Sequence, residues 1–161
     1  MKNELQTFAL KSLILLLGAN NIEAQNKIII SKRNMTLYVE DTHGDTIEVM
    51  PCAIGKNWGD KKKTGDKKTP EGTFKVVKIQ DSRKWTHDFK DGYGERKGAY
   101  GTWFFRLKVP GFTGIGIHGT CFPESIGKRS SEGCIRLSNS DIIKLKKYVS
   151  VGMLCIIEKD Y

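Results

Sequence analysis

From Lys27 to Glu158 the chain is cut into short runs of β-branched and aromatic residues, each closed by a turn signal. That rhythm restricts the architecture more than any other feature. Lys27 to Ser31, Met35 to Glu40 and Thr46 to Met50 read as strands, the last two separated by a turn at His43-Gly44-Asp45. Thr73 to Ile79, Trp103 to Val109, Gly114 to His118 and Met153 to Glu158 complete the set. Only one stretch is helical. Ser138 offers a cap with Asp141 three residues on, Ile142, Leu145 and Val149 recur at helical spacing, and Gly152 closes the run. Residues 81–100 are polar and glycine-rich and predict a long loop or lid. About seven strands and one late helix define a mostly β fold, a β-sandwich or barrel-like architecture with a small helical element.

The first 24 residues stand apart from that rhythm. Lys2 and Lys11 flank a polar start, Leu13-Ile14-Leu15-Leu16-Leu17 is a short apolar block, and Ala19 and Ala24 are small. This is the layout of a secretory signal peptide over residues 1–24, with the folded domain over residues 25–161. The apolar block is shorter than the roughly 20 residues that cross a bilayer, so no membrane span is expected. The leader holds two bases (Lys2, Lys11) and two acids (Glu4, Glu23), so its removal leaves the formal charge at +9. An exported basic protein meets anionic wall polymers more often than nucleic acid. Lys61-Lys62-Lys63 and Lys67-Lys68 form the densest basic cluster, with no interleaved aromatic to stack on bases. They read as a solvated loop. Cys52 and Cys155 lie in apolar stretches and read as small buried hydrophobes, a mutual bridge being the competing arrangement.

Chemistry concentrates in two segments. His43 lies in a turn and His87 in the expected lid, so both read as structural. His118 ends an apolar strand and precedes Gly119-Thr120, a position open to a substrate. Sixteen residues later come Ser131-Glu132-Gly133-Cys134-Ile135-Arg136. Gly133 lets the backbone approach closely, so amides around Cys134 can face an oxyanion. Arg136, two residues on, shares a face with Cys134 if the segment is extended. Its charge would favour the thiolate, lowering a pKa of about 8.5 in the free thiol.

Ile117-His118-Gly119-Thr120, the Ser125-Ile126-Gly127 spacer and Ser131-Glu132-Gly133-Cys134-Ile135-Arg136-Leu137 together resemble the signature of the L,D-transpeptidase catalytic domain, the YkuD-like family. Thr69-Pro70-Glu71-Gly72-Thr73-Phe74 is similar to that family's Thr-Pro-x-Gly-x-Phe segment, and Ala53-Ile54-Gly55-Lys56 to the strand end before it. Glu132 departs from the pattern, since many members carry His there, and the departure bears on the substrate pocket. The resemblance implies a mostly β catalytic domain acting on peptidoglycan stem peptides in the periplasm or cell envelope, as a monomer, with no cofactor and no metal. It implies Cys134 as nucleophile, His118 as general base and later acid, and the Gly119 carbonyl as the group orienting the imidazole. Gly133 and Cys134 amides would form the oxyanion hole. Arg136, Ser131 and Thr120 would serve substrate binding, and carbapenem-type β-lactams would acylate Cys134.

Three other readings compete. His118-x-x-Cys121 with Cys134 offers three zinc ligands, but without the usual paired motif. An L,D-carboxypeptidase would use water as acceptor from the same acyl-enzyme. A wall-binding module would use the basic loop and need no thiol.

Overall fold

Ile28 and Ile30 alternate with half-exposed Lys27 and Ile29, and this period of two places one face of Lys27–Ser31 (β1) in the core. Thr36–Glu40 (β2) does the same, and the antiparallel register sets Ile28 beside Val39 and Ile30 beside Leu37, all four fully buried. Each such side chain contributes roughly 1.5–3 kcal/mol relative to exposure. The computed structural model describes residues 25–161, and the leader expected at residues 1–24 lies outside them.

The remaining strands are Thr46–Pro51 (β3), Ile54–Gly55 (β4), Gly72–Asp81 (β5), Thr86–Asp88 (β6), Glu95–Lys97 (β7) and Trp103–Leu107 (β8). Gly116–His118 (β9), Arg129–Ser131 (β10), Ile135–Arg136 (β11) and Leu154–Ile157 (β12) follow, with the helix Asn139–Leu145 (α1) before β12. Eight of them form one sheet in the order β11-β9-β8-β5-β12-β1-β2-β3. Pairings are antiparallel except β1 with β12 and β9 with β11. The sheet curls on itself. Ala53, just past one edge strand, exchanges two 2.8 Å backbone hydrogen bonds with Arg136 in the opposite edge strand. Inside this near-closed sheet lie Met50, Phe74, Val76, Phe105, Leu107, Ile117 and Ile135, covered by Ile142 and Leu145 of α1. A mostly β, barrel-like sheet with one late helix is therefore the fold, as the strand rhythm implied.

Several boundaries differ from expectation. The Ser138 hydroxyl accepts from the Asp141 amide at 3.1 Å and donates to its carboxylate at 2.7 Å, so the cap is as expected. The helix stops at Leu145 and does not reach Val149. The amides of Lys147 and Tyr148 bond only three residues back, which tightens the last turns. The segment 81–100 is not a plain loop, because β6 and β7 pair as a hairpin within it. The expected strand from Gly114 is regular only from Gly116. The short β4, β10 and β11 carry too few residues to show a period.

The lysine cluster is also not a simply solvated loop. Lys61 is buried and its ammonium lies 2.8 Å from Asp66, whose carboxylate also accepts from the amides of Lys62, Lys63 and Lys68. Burial opposes the charge on Asp66, but these donors outweigh it and hold the carboxyl well below the usual range.

Candidate active site

Parallel pairing of β9 with β11 sets His118 beside Arg136 and Ile117 beside Ile135. The isoleucines are fully buried in the core. His118 and Arg136 line the cavity on the other side, together with Cys134, which the two-residue alternation brings to the same face. The cavity holds about 350 Å³. His118 Nδ1 lies 2.5 Å from the Gly119 carbonyl oxygen. A carbonyl can only accept, so Nδ1 carries the proton and Nε2 keeps its lone pair. The ring is stacked on Phe104 at 5.3 Å and meets the Tyr100 ring edge-to-face at 4.9 Å, and the residue is buried.

The loop carrying Cys134 is held from below. Thr69 Oγ1 accepts from the Gly55 amide at 2.8 Å and donates to the Gly133 carbonyl at 3.0 Å. Gly133 sits at φ +130°, and a Cβ there would lie 2.8 Å from the Lys68 carbonyl oxygen, so no other residue fits without moving the backbone. The Ser131 hydroxyl donates to the Cys134 carbonyl at 2.5 Å and accepts from the Gly133 amide at 3.1 Å. The Gly133 amide, expected in the oxyanion hole, is thus engaged by Ser131. The Cys134 amide has no partner among the described residues. The thiol itself donates to the Gly114 carbonyl at 3.2 Å.

Burial sets the protonation states. It pushes the His118 imidazole down to about 3, against the raising effect of the Gly119 carbonyl, with Arg136 adding to the fall. It pushes the Cys134 thiol up, although the Gly116 backbone and Arg136 both pull it down. The expectation of a resting thiolate is therefore corrected: desolvation exceeds the cationic field, and the resting pair is a neutral thiol with a neutral imidazole. Arg136 is 7% exposed and its own pKa is lowered, chiefly by burial. Its guanidinium makes no ion pair among the described residues and lies 5.4 Å from the Phe89 ring and 6.0 Å from that of Phe122.

Sequence reasoning missed three residues of this cavity. His87, read as structural, comes in from the β6–β7 hairpin; its Nε2 lies 3.3 Å from Glu132 and its Nδ1 3.0 Å from the Tyr100 hydroxyl. Tyr100 and Lys61 also line the space. No local signal marks them, because they reach the site only through the fold; Thr69, by contrast, stood in a motif. Thr120, expected to touch substrate, does not line the cavity: it is buried, and its hydroxyl accepts from the Phe122 amide at 3.0 Å. Cys121 is half-buried outside the cavity lining, and His43 is exposed in its turn. Among the described residues, His118, Cys121 and Cys134 do not come together as a set of metal ligands. Cys52 and Cys155 are both buried and unbridged, and burial raises each thiol, that of Cys52 to about 12.

A half-buried thiol that shares one cavity with an oriented imidazole and an arginine without an ion pair is an arrangement suited to acyl transfer. The chain matches the YkuD family model, L,D-transpeptidase catalytic domain, over residues 25–157, and it belongs to that family. It is 31% identical over 147 residues to the putative L,D-transpeptidase YqjB of Bacillus subtilis, covering 89% of this chain and 77% of that protein. Among solved structures it resembles an L,D-transpeptidase from Mycobacterium smegmatis, with a TM-score of 0.61 and 23% identity over 84% of this chain and 59% of that one. L,D-transpeptidase 3 from Mycobacterium tuberculosis, solved with a faropenem-derived adduct, gives 0.62 and 19% over 83% and 60%. At these identities the likeness to both structures is one of fold. The chain spans about 60% of each.

Proposed function

We propose that this chain is an exported cysteine L,D-transpeptidase that joins peptidoglycan stem peptides in the periplasm or cell envelope. The observation that carries the reading is a proton-accepting His118 Nε2, fixed by the Gly119 carbonyl, sharing one cavity with Cys134 and an unpaired Arg136. The Cys134 sulfur attacks the carbonyl joining the L-centre of a diamino acid to a terminal D-alanine, and its proton passes to Nε2. The Cys134 amide donates to the oxygen that gains charge. The C–N bond breaks, the proton moves from Nε2 to the departing amine, and D-alanine leaves a thioester. An amine of a second stem then attacks the thioester, the C–S bond breaks, and its proton returns through His118 to the sulfur. Arg136 holds a substrate carboxylate in a two-pronged grip while Ser131 keeps the loop shaped.

The test is incubation of the protein with purified tetrapeptide muropeptides and identification of the products by mass. A cross-linked dimer supports the reading. Tripeptide alone would make the protein an L,D-carboxypeptidase, and unchanged substrate a binding module. A carbapenem should add its own mass to the intact protein at Cys134.

A further inference from the structure

Residues 56–71 form one wall of the catalytic cavity, and Lys61, Thr64, Gly65 and Lys67 of that segment line it. Trp58 stands on the same segment, outside the lining. Of the three tryptophans, Trp85 and Trp103 are half-buried, whereas Trp58 is 58% exposed. A ring that large held in water forgoes much of the stabilisation that burial would bring. The exposure does not come from a slack loop. On one flank the Asn57 amide donates to the Lys67 carbonyl at 3.1 Å, and its side-chain amide to the Asp66 carbonyl at 2.8 Å. On the other the Gly59 amide donates to Asp160 at 2.5 Å, and its carbonyl accepts from the buried Lys32 ammonium at 2.9 Å. The backbone is fixed on both flanks while the side chain is held out in water.

The ring has a back and a front. The Arg129 guanidinium lies 3.6 Å from its centroid and covers one face, and Asp160 pairs with that guanidinium. The exposed area therefore belongs to the other face and the edge. Next to it Gly59, at φ +82°, leaves a floor without a side chain. The point a Cβ would occupy there lies 3.6 Å from the Lys68 ammonium and 3.9 Å from the Tyr161 hydroxyl. An ammonium can only donate and a phenol donates readily, so two groups that suit oxygen acceptors flank a flat apolar face. That combination fits a pyranose, whose C–H face lies on an aromatic plane while its hydroxyl and acetamido oxygens accept at the rim.

We infer that Trp58, with Lys68 and Tyr161 at its rim, binds an N-acetylated amino-sugar ring of the glycan strand that carries the donor stem. This rests on the transpeptidase reading and extends it from the peptide to the sugar chain. The distances allow both ends to be held at once. Trp58 is three residues from Lys61, so their Cα atoms are at most about 11 Å apart. An extended tetrapeptide reaches roughly 14 Å. A stem with its scissile bond at Cys134 therefore carries its other end, and the sugar it hangs from, out to the rim of the cavity. The contact is non-covalent and lies apart from the reacting atoms, so it acts on substrate capture and not on the chemical step.

The test has two readouts. In the first, a β-linked tetramer of N-acetylglucosamine, which carries no peptide, is titrated into the protein while the indole N–H resonance of Trp58 is followed by NMR. That resonance is identified by its loss in Trp58→Phe. We expect it to shift, and we expect Trp58→Ala to bind the tetramer at least fivefold more weakly, with Trp58→Phe between the two. In the second, D-alanine release is compared between a tetrapeptide still joined to its disaccharide chain and the same tetrapeptide without sugar. Wild type should show the lower KM for the joined substrate, and Trp58→Ala should narrow that KM ratio. A ratio between two substrates does not depend on how much protein is folded. A Trp58 resonance that stays in place, or a KM ratio equal in wild type and Trp58→Ala, overturns the inference. Tetramer binding at Trp58 with no D-alanine released from either substrate would support the sugar site and overturn the transpeptidase reading beneath it.

Discussion

Two buried charged clusters meet at Thr69, and they are built on opposite principles. On one side Lys32, with its side chain wholly buried, reaches Glu71 at 2.7 Å, the Gly59 carbonyl at 2.9 Å, Asp160 at 3.0 Å and the Thr69 carbonyl at 3.2 Å. Asp160 also pairs with Arg129 and accepts from the Gly59 amide at 2.5 Å. On the other side Arg136, nearly as buried, has only aromatic rings for company. A buried ion leaves water at a cost of several kcal/mol, which only partners return. Lys32 has its partners within the chain. Arg136 does not, and its guanidinium opens on the cavity, where a ligand can supply the missing partner. The Lys32 cluster braces the loop through Thr69, and Arg136 faces the cavity.

The comparison breaks first at the nucleophile. Cys134→Ser should remove carbapenem labelling and lower turnover by about three powers of ten or more, while Cys155→Ala keeps its rate when folded and melts earlier. Intact-protein mass and a thermal melt read both. Labelling that persists in Cys134→Ser would move the nucleophile elsewhere.

Lys32→Met tests the paired cluster. It leaves Glu71 without its cation and Asp160 with Arg129 alone, so we expect a loss of about 3–5 kcal/mol in urea unfolding. A variant as stable as wild type would show that the network is not a clamp.

Arg136→Lys should do the reverse. It keeps the charge but loses the planar fork, so kcat/KM should fall at least tenfold with a melting temperature near that of wild type. An early melt with a normal rate would make Arg136 a brace like Lys32.

The smallest effect is in pH. The reaction needs His118 neutral, and burial holds it neutral down to about 3. The rate of carbapenem acylation should therefore show no acid limb near 6.5 and fall only toward pH 3. Stability moves in the same direction. Below about 6.5 the unfolded imidazole binds a proton that the folded one refuses, so His118 lowers stability progressively from there to about pH 3. An acid limb centred near 6.5 would mean that the imidazole is better solvated than its stacking on Phe104 implies.

The strand rhythm, the capped helix and the pair of segments around His118 and Cys134 were legible in the chain, because period, capping chemistry and short motifs are local. Burial of Cys52 and Cys155 was legible for the same reason, from apolar neighbours in sequence. The fold alone decided what desolvation does. Arg136 two residues from Cys134 suggested a thiolate, but the depth of the site reverses that shift, and depth belongs to the curled sheet as a whole. His87 reaches Glu132 across 45 positions of chain, Tyr100 reaches His87 across 13, and Lys32 reaches Asp160 across 128. Contacts at such separations leave no periodic mark. They depend on which hairpin folds over which loop, and only tertiary packing settles that.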